Sequence, residues 1–170
     1  TSGLVFYPNL PTIEIFNTPD KDTAEGYITT TRPVSVMGKE TESVKLYFEK
    51  GKCVKAEAKE GQKVIDDYLQ IDEGSSRLGE IALVDDSSAI SKTGLVFGSI
   101  LIDENASCHI ALGSGYTSNL HIGKEDPKDY GCNESLVHTD FMVGSSDMKV
   151  TALTYGGEEV VIMDNGNFVF

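Results

Sequence analysis

The sequence contains three histidines, His109, His121 and His138. His138 stands two positions before Asp140 in the apolar run Leu136-Val137-His138-Thr139-Asp140-Phe141-Met142-Val143. Residues i and i+2 of a β-strand project from the same face. This run would therefore present an imidazole nitrogen beside a carboxylate, a pair able to hold a divalent metal. A solvent-facing strand with two ordinary polar residues has the same spacing. Further ligands are what separate the two readings. Leu78-Gly79-Glu80-Ile81-Ala82-Leu83-Val84 sets a single acid at the head of an apolar strand, and a carboxylate close to a core needs a compensating cation. Asp103-Glu104-Asn105-Ala106-Ser107-Cys108-His109 adds two acids and a second histidine. Asp103 and Glu104 would equally serve to cap a helix beginning near Asn105. Glu14 is another isolated acid, between Thr12-Ile13 and Ile15-Phe16. Several acids and two histidines beside apolar strands make a mixed oxygen and nitrogen donor set. That set suits zinc, cobalt or manganese better than a thiolate site would.

The elements that must position these residues are mostly strands. Ser43–Phe48 and Cys53–Ala58 flank Glu49-Lys50-Gly51-Lys52, which predicts a β-hairpin. Tyr27 to Met37, rich in Thr, Val and Ile, predicts strand, and so do Glu80–Val84 and Leu136–Val143. Between Gly61 and Gln70 the period changes: Val64, Ile65, Tyr68 and Leu69 share one helical face and Asp66 and Asp67 the other. Asn17–Asp22 is expected to turn, Leu4–Tyr7 and Leu95–Ile102 are apolar stretches, and Asp103–Leu112 stays open between loop, strand and helix. Two more hairpin signals close the chain, Tyr155-Gly156-Gly157-Glu158 and Asp164-Asn165-Gly166-Asn167. The pattern is that of one β-rich α+β domain spanning residues 1–170, with mixed sheets, hairpins and few helices.

Composition narrows the partners. The chain has 170 residues, 39% of them hydrophobic, and a formal charge of −13. Such a surface disfavours nucleic acid, which calls for a basic patch, and disfavours an anionic membrane. It attracts cations. No apolar run approaches the roughly 20 residues that span a bilayer. Cys53, Cys108 and Cys132 form an odd, widely spaced set without a CxxC pair, which points to free thiols in a reducing cytoplasm. The triplets Asn105-Ala106-Ser107 and Asn133-Glu134-Ser135 are read as chance matches to a glycosylation signal.

Four segments also resemble a known family in the right order. Asn9-Leu10-Pro11-Thr12-Ile13-Glu14-Ile15-Phe16-Asn17-Thr18-Pro19 looks like the NxPTEEVFTxP motif of the thermophilic-type metalloaminopeptidases, the aminopeptidase T and S group (M29). Arg77–Val84 resembles its RLGE motif, Asp103–Tyr116 its DENAxxHIALGxxY motif, and Ser135–Ser145 its SxxHxDFMIGS motif. The first motif departs from the pattern, with Ile13-Glu14 in place of two adjacent glutamates. Members of that family are roughly twice as long and begin with an α/β domain. The resemblance covers their C-terminal, metal-bearing half, so a chain that starts at Thr1 is expected to be an excised domain with weak or no activity alone.

What the resemblance implies is a hydrolase that removes N-terminal residues from peptides with two divalent metals, zinc, cobalt, manganese or magnesium. Glu14, Glu80, His109, His138 and Asp140 would be the metal ligands, with Glu14 or Glu80 bridging and Glu104 a weaker candidate. Glu80 and Tyr116 would be the catalytic residues, the Tyr116 hydroxyl binding a metal or stabilising the developing oxyanion. His121 matches no motif and is expected at the surface, Cys108 is expected to pack, and Arg77 is expected to orient a carboxylate. The partners implied are peptides with a free N-terminus and a second copy of the chain in a homodimer. The alternative is a non-catalytic assembly or metal-binding domain.

Overall fold

The structure, a computed structural model, describes residues 13–170, with the side chain of Ile100 excepted. The apolar run Leu4–Tyr7 and the first four residues of the opening motif lie outside the described residues. The chain divides into two compact units, a larger one of residues 16–82 and 109–143 and a smaller one of residues 13–15, 83–108 and 144–170.

The larger unit carries most of the strands. β1 (Ile15–Asn17) starts in the smaller unit's segment and enters it. The expected strand at Tyr27–Met37 is two strands, β2 (Gly26–Thr29) and β3 (Val34–Val36). Pro33 stands between them and has no N–H to continue a ladder. β3 turns into β4 (Lys39–Thr41) through Met37 and Gly38, both at positive φ (51° and 73°). The hairpin expected around Gly51 is β5 (Lys45–Glu49) and β6 (Lys52–Glu57), closed by Lys50 and Gly51 at φ 47° and 78°. A two-residue turn with both φ values positive matches the right-handed twist of its strands. Gly51 is required twice over, since a Cβ there would meet the Lys21 carbonyl oxygen at 1.9 Å. α1 (Gln62–Tyr68) buries Ile65 and Tyr68, the apolar face that the 3.6-residue period predicts.

β7 (Leu78–Leu83), β8 (His109–Gly113) and β9 (His138–Met142) form, with β1, a four-stranded sheet ordered β1-β7-β8-β9. β8 is paired on both sides and all five of its residues are buried. Leu78, Ile110, Leu112 and Phe141 from this sheet join Val36, Val44, Leu46, Phe48, Ile65 and Tyr68 in one hydrophobic core.

The smaller unit contains α2 (Ile100–Asp103) and the sheet β10 (Val150–Leu153), β11 (Glu159–Asp164) and β12 (Asn167–Phe168). Both C-terminal hairpins are present. Asn165 and Gly166 make the second turn at φ 48° and 72°. Cys108 packs here as expected: its thiol lies 3.2 Å from both the Val84 nitrogen and oxygen and 3.9 Å from the Met163 sulfur. Asp103 caps no helix at Asn105. Its carboxylate instead accepts the amides of Phe97 and Ser99, reaching back over the start of α2. Among the described residues no helix is long and apolar enough to cross a membrane.

Candidate metal centre

The polar residues of the β7–β8–β9 sheet share a face because of its register. Ala111, in the middle strand, pairs with Glu80 on one side and Asp140 on the other. A methyl group between them leaves two carboxylates flanking an open row. His109 stands two residues before Ala111, and His138 two before Asp140, so alternation puts both imidazoles on the face of that row. The opposite face carries Ile110, Leu112 and Phe141 into the core.

Glu80 reaches the polar face through an irregularity. Leu78 pairs with Leu112 and Glu80 with Ala111, so Gly79 is one extra residue in β7. This bulge switches the alternation between neighbours, sending Leu78 into the core and Glu80 out of it. The extra residue has to be glycine: a Cβ would meet the Gly113 and Ser114 carbonyl oxygens at 2.4 Å each.

The side chains converge. His138 Nε2 lies 3.2 Å from Glu80 Oε2 and 3.3 Å from Asp140 Oδ1. Ligand atoms of Glu80, His138 and Asp140 all fall within 4.8 Å of one another. On the far side of Glu80, Oε1 is 4.0 Å from His109 Nε2. Glu80 and His109 are buried, at 4% and 1% exposure. Asp140 Oδ1 is shut off from solvent and faces His138 Nε2 at 3.3 Å without a well-formed hydrogen bond. A buried carboxylate oxygen in that condition carries a cost that a bound cation removes. Two carboxylates and imidazole nitrogens at this separation fit a divalent metal of the zinc, cobalt or manganese type.

His138 is held in the orientation a ligand needs. Its Nδ1 is 2.7 Å from the Ser114 carbonyl oxygen, which accepts an N–H there and turns Nε2 toward the carboxylates. Burial disfavours its charged form, but the carboxylates of Asp140 and Glu80 outweigh burial and lift its pKa to about 10. Without metal, the imidazolium is the cation of the cluster. Tyr116, 42% exposed, leans on the same imidazole with ring centroids 5.1 Å apart and its hydroxyl 3.5 Å from Nε2.

Other residues hold the frame and were not legible as functional in the sequence. Buried Asn133 donates its side-chain N–H groups to the Gly113 and Gly74 carbonyls, at 2.6 and 2.8 Å. Tyr68 donates to the Leu112 carbonyl at 2.7 Å. Burial pushes its phenol up to about 12, so it remains a donor. The signals available beforehand were the glycine interrupting β7's alternation and the small residue at the centre of β8. Arg77 binds the Lys21 carbonyl and the Asp22 carboxylate, so the acid it orients belongs to a turn. His121 is exposed, as expected. Glu14 lies in the smaller unit, where the preceding Ile13 amide donates to the Asn105 side chain at 3.0 Å. Glu104 sits in a short 3₁₀ turn of the same unit.

The family model of the thermophilic metalloproteases (M29) matches residues 1–168. The chain belongs to the M29 family. Among curated M29-type relatives it is 41% identical over 173 residues to aminopeptidase AmpS of Bacillus subtilis, covering 99% of this chain and 42% of that protein. It is 42% identical over 170 residues to aminopeptidase T of Thermus thermophilus, covering 98% and 41%. The solved structure of wild-type AmpT from Thermus thermophilus superposes with a TM-score of 0.90 at 44% identity, covering 96% of this chain and 41% of that one. The β-rich fold with few helices is thus an M29 fold, and the chain spans about two-fifths of the length of the relatives it matches.

Proposed function

We propose that residues 1–170 act as the metal-binding catalytic domain of an aminopeptidase that releases amino acids from the free N-terminus of peptides. The observation that carries this reading is the meeting of Glu80, His138 and Asp140 ligand atoms within 4.8 Å on one sheet face, in a chain whose relatives are aminopeptidases. These three residues would hold one cation. Glu80 would serve a second with His109, whose Nε2 faces its other oxygen, and is catalytic as that shared ligand. Glu14 joins the second set on the strength of its motif, and Glu104 is the weaker candidate beside it.

Zinc, cobalt, manganese or magnesium bound there would polarise the scissile carbonyl and lower the pKa of the attacking water. The remaining work falls to the chain's own groups. Ser114 keeps the His138 ring fixed through Nδ1. Tyr116 brings a hydroxyl to the solvent side of the cluster, where it can donate to the oxygen on which charge develops. The free, buried state of all three cysteines supports a cytoplasmic setting.

The test is to load the purified chain with zinc or cobalt and count bound metal by elemental analysis. About two ions per chain are expected, and fewer in Glu80→Gln. Retention of both by Glu80→Gln would end the assignment. Hydrolysis of an amino-acid p-nitroanilide, with its N-acetyl form inert, would mark an aminopeptidase. A second reading, a homodimer-building or assembly domain, is favoured by the exposed Leu153, Val160, Val161 and Phe170 of the smaller unit. Sedimentation at several concentrations tests it.

A further inference from the structure

The hydroxyl of Tyr116 can act at the cluster only if its backbone is held. Tyr116 opens a loop, with φ −92° and ψ 106°, outside any strand. Its backbone is gripped by a side chain 98 positions away. The Thr18 hydroxyl donates to the Tyr116 carbonyl oxygen at 3.0 Å and accepts the Tyr116 amide at 3.0 Å. One hydroxyl thus bonds both peptide groups of a single residue, and the Asn119 amide adds a second donor to the Tyr116 carbonyl at 3.2 Å. Beside it, Phe16 packs edge-on against the Tyr116 ring, centroids 5.5 Å apart at 66°. The methyl group of Thr18 closes the remaining space, since a Cβ on Gly115 would lie 2.8 Å from it. Thr18 itself is anchored by the Asn17 side chain, which accepts its amide at 2.8 Å.

We propose that Thr18 is a positioning residue that seats Tyr116 against the metal-facing edge of His138. It rests on the reading of the site given above. Threonine suits the task because it supplies a donor, an acceptor and a methyl group in one stiff side chain. Serine keeps the hydroxyl without the methyl, and valine keeps the shape without the hydroxyl. Thr18 acts through Tyr116 and not through the carboxylates or imidazoles. Its loss should therefore move the phenol and leave metal affinity little changed.

The experiment is nuclear magnetic resonance on the 170-residue chain, without metal and then titrated with zinc. The unaltered chain is expected to show a protected Tyr116 amide and a cross-relaxation contact between the Tyr116 and His138 rings. Thr18→Val should speed exchange of that amide about tenfold and abolish the ring contact while zinc affinity holds. Thr18→Ser should restore both. The proposal is overturned if Thr18→Val leaves the ring contact and the protection in place, or if Thr18→Ser behaves like Thr18→Val. Should Thr18→Val fail to fold, an unprotected Tyr116 amide in the unaltered chain overturns it just as well. Absence of zinc binding by the unaltered chain would instead overturn the metal reading. The two failures are distinct, because the ring contact is read before any metal is added.

Discussion

The two faces of the β7–β8–β9 sheet are made from alternating residues of the same strands, and they differ in what completes them. On one face Leu78, Ile110, Leu112 and Phe141 are at most 7% exposed and pack into the core. On the other, Glu80, His109, His138 and Asp140 bring two carboxylates and two imidazoles together, and a buried Asp140 oxygen faces His138 Nε2 at 3.3 Å without a well-formed hydrogen bond. The first face is finished by folding, and the second, on the proposed reading, by a bound cation. A single inserted glycine decides which residue of β7 goes to which face.

Substitutions should separate the faces by what they damage. Phe141→Ala, on the finished face, should cost about 3–5 kcal/mol of stability, measured by urea denaturation, with zinc stoichiometry unchanged while the chain stays folded. Asp140→Asn should do the reverse. Zinc affinity should fall about 100-fold or more, read by calorimetric titration, while the metal-free chain gives up one of the two carboxylates that hold the His138 proton, keeps Glu80, and so loses less stability than with Phe141→Ala. Equal losses in both assays for both variants would erase the distinction. Gly79→Ala strikes the point where the faces are sorted. The new methyl group meets two carbonyl oxygens, so stability should drop about 1–3 kcal/mol and zinc binding should weaken with it.

A further effect is in pH. The His138 pKa is lifted from 6.5 to about 10 in the metal-free fold. A raised pKa adds stability that is complete below 6.5 and is lost as pH climbs through about 10. The metal-free chain should therefore become progressively less stable across that window. Zinc must displace this proton, so its affinity should rise over the same range, by about tenfold per pH unit for one proton released. Thermal melts with and without zinc at pH 7 and 9 would show the two trends diverging. Parallel trends would mean that His138 is not the group being displaced.

Much of this was legible beforehand because it depends on short spacings. The i, i+2 step from His138 to Asp140, the Lys50-Gly51 and Asn165-Gly166 turns and the apolar face of α1 are local patterns, and local sterics enforce them. The Tyr27–Met37 strand was over-extended because β-propensity rises on both sides of Pro33 and cannot show that the two halves join different sheets. Asp103 had, as one of its two readings, the capping of a helix near Asn105, yet its carboxylate serves the amides of Phe97 and Ser99 before it, since both uses need only a carboxylate near a free amide.

The residue types of the candidate ligands, their alternation and the motifs they sit in are properties of the chain alone. The amino-acid sequence determined those, and with them the family. The tertiary structure decided which strands lie side by side, and so that Ala111 separates Glu80 from Asp140, that the Gly79 bulge turns Glu80 toward His138, and that Thr18 reaches Tyr116. Such pairings join residues tens of positions apart, and their register is set by the packing of the whole core, which no local pattern encodes.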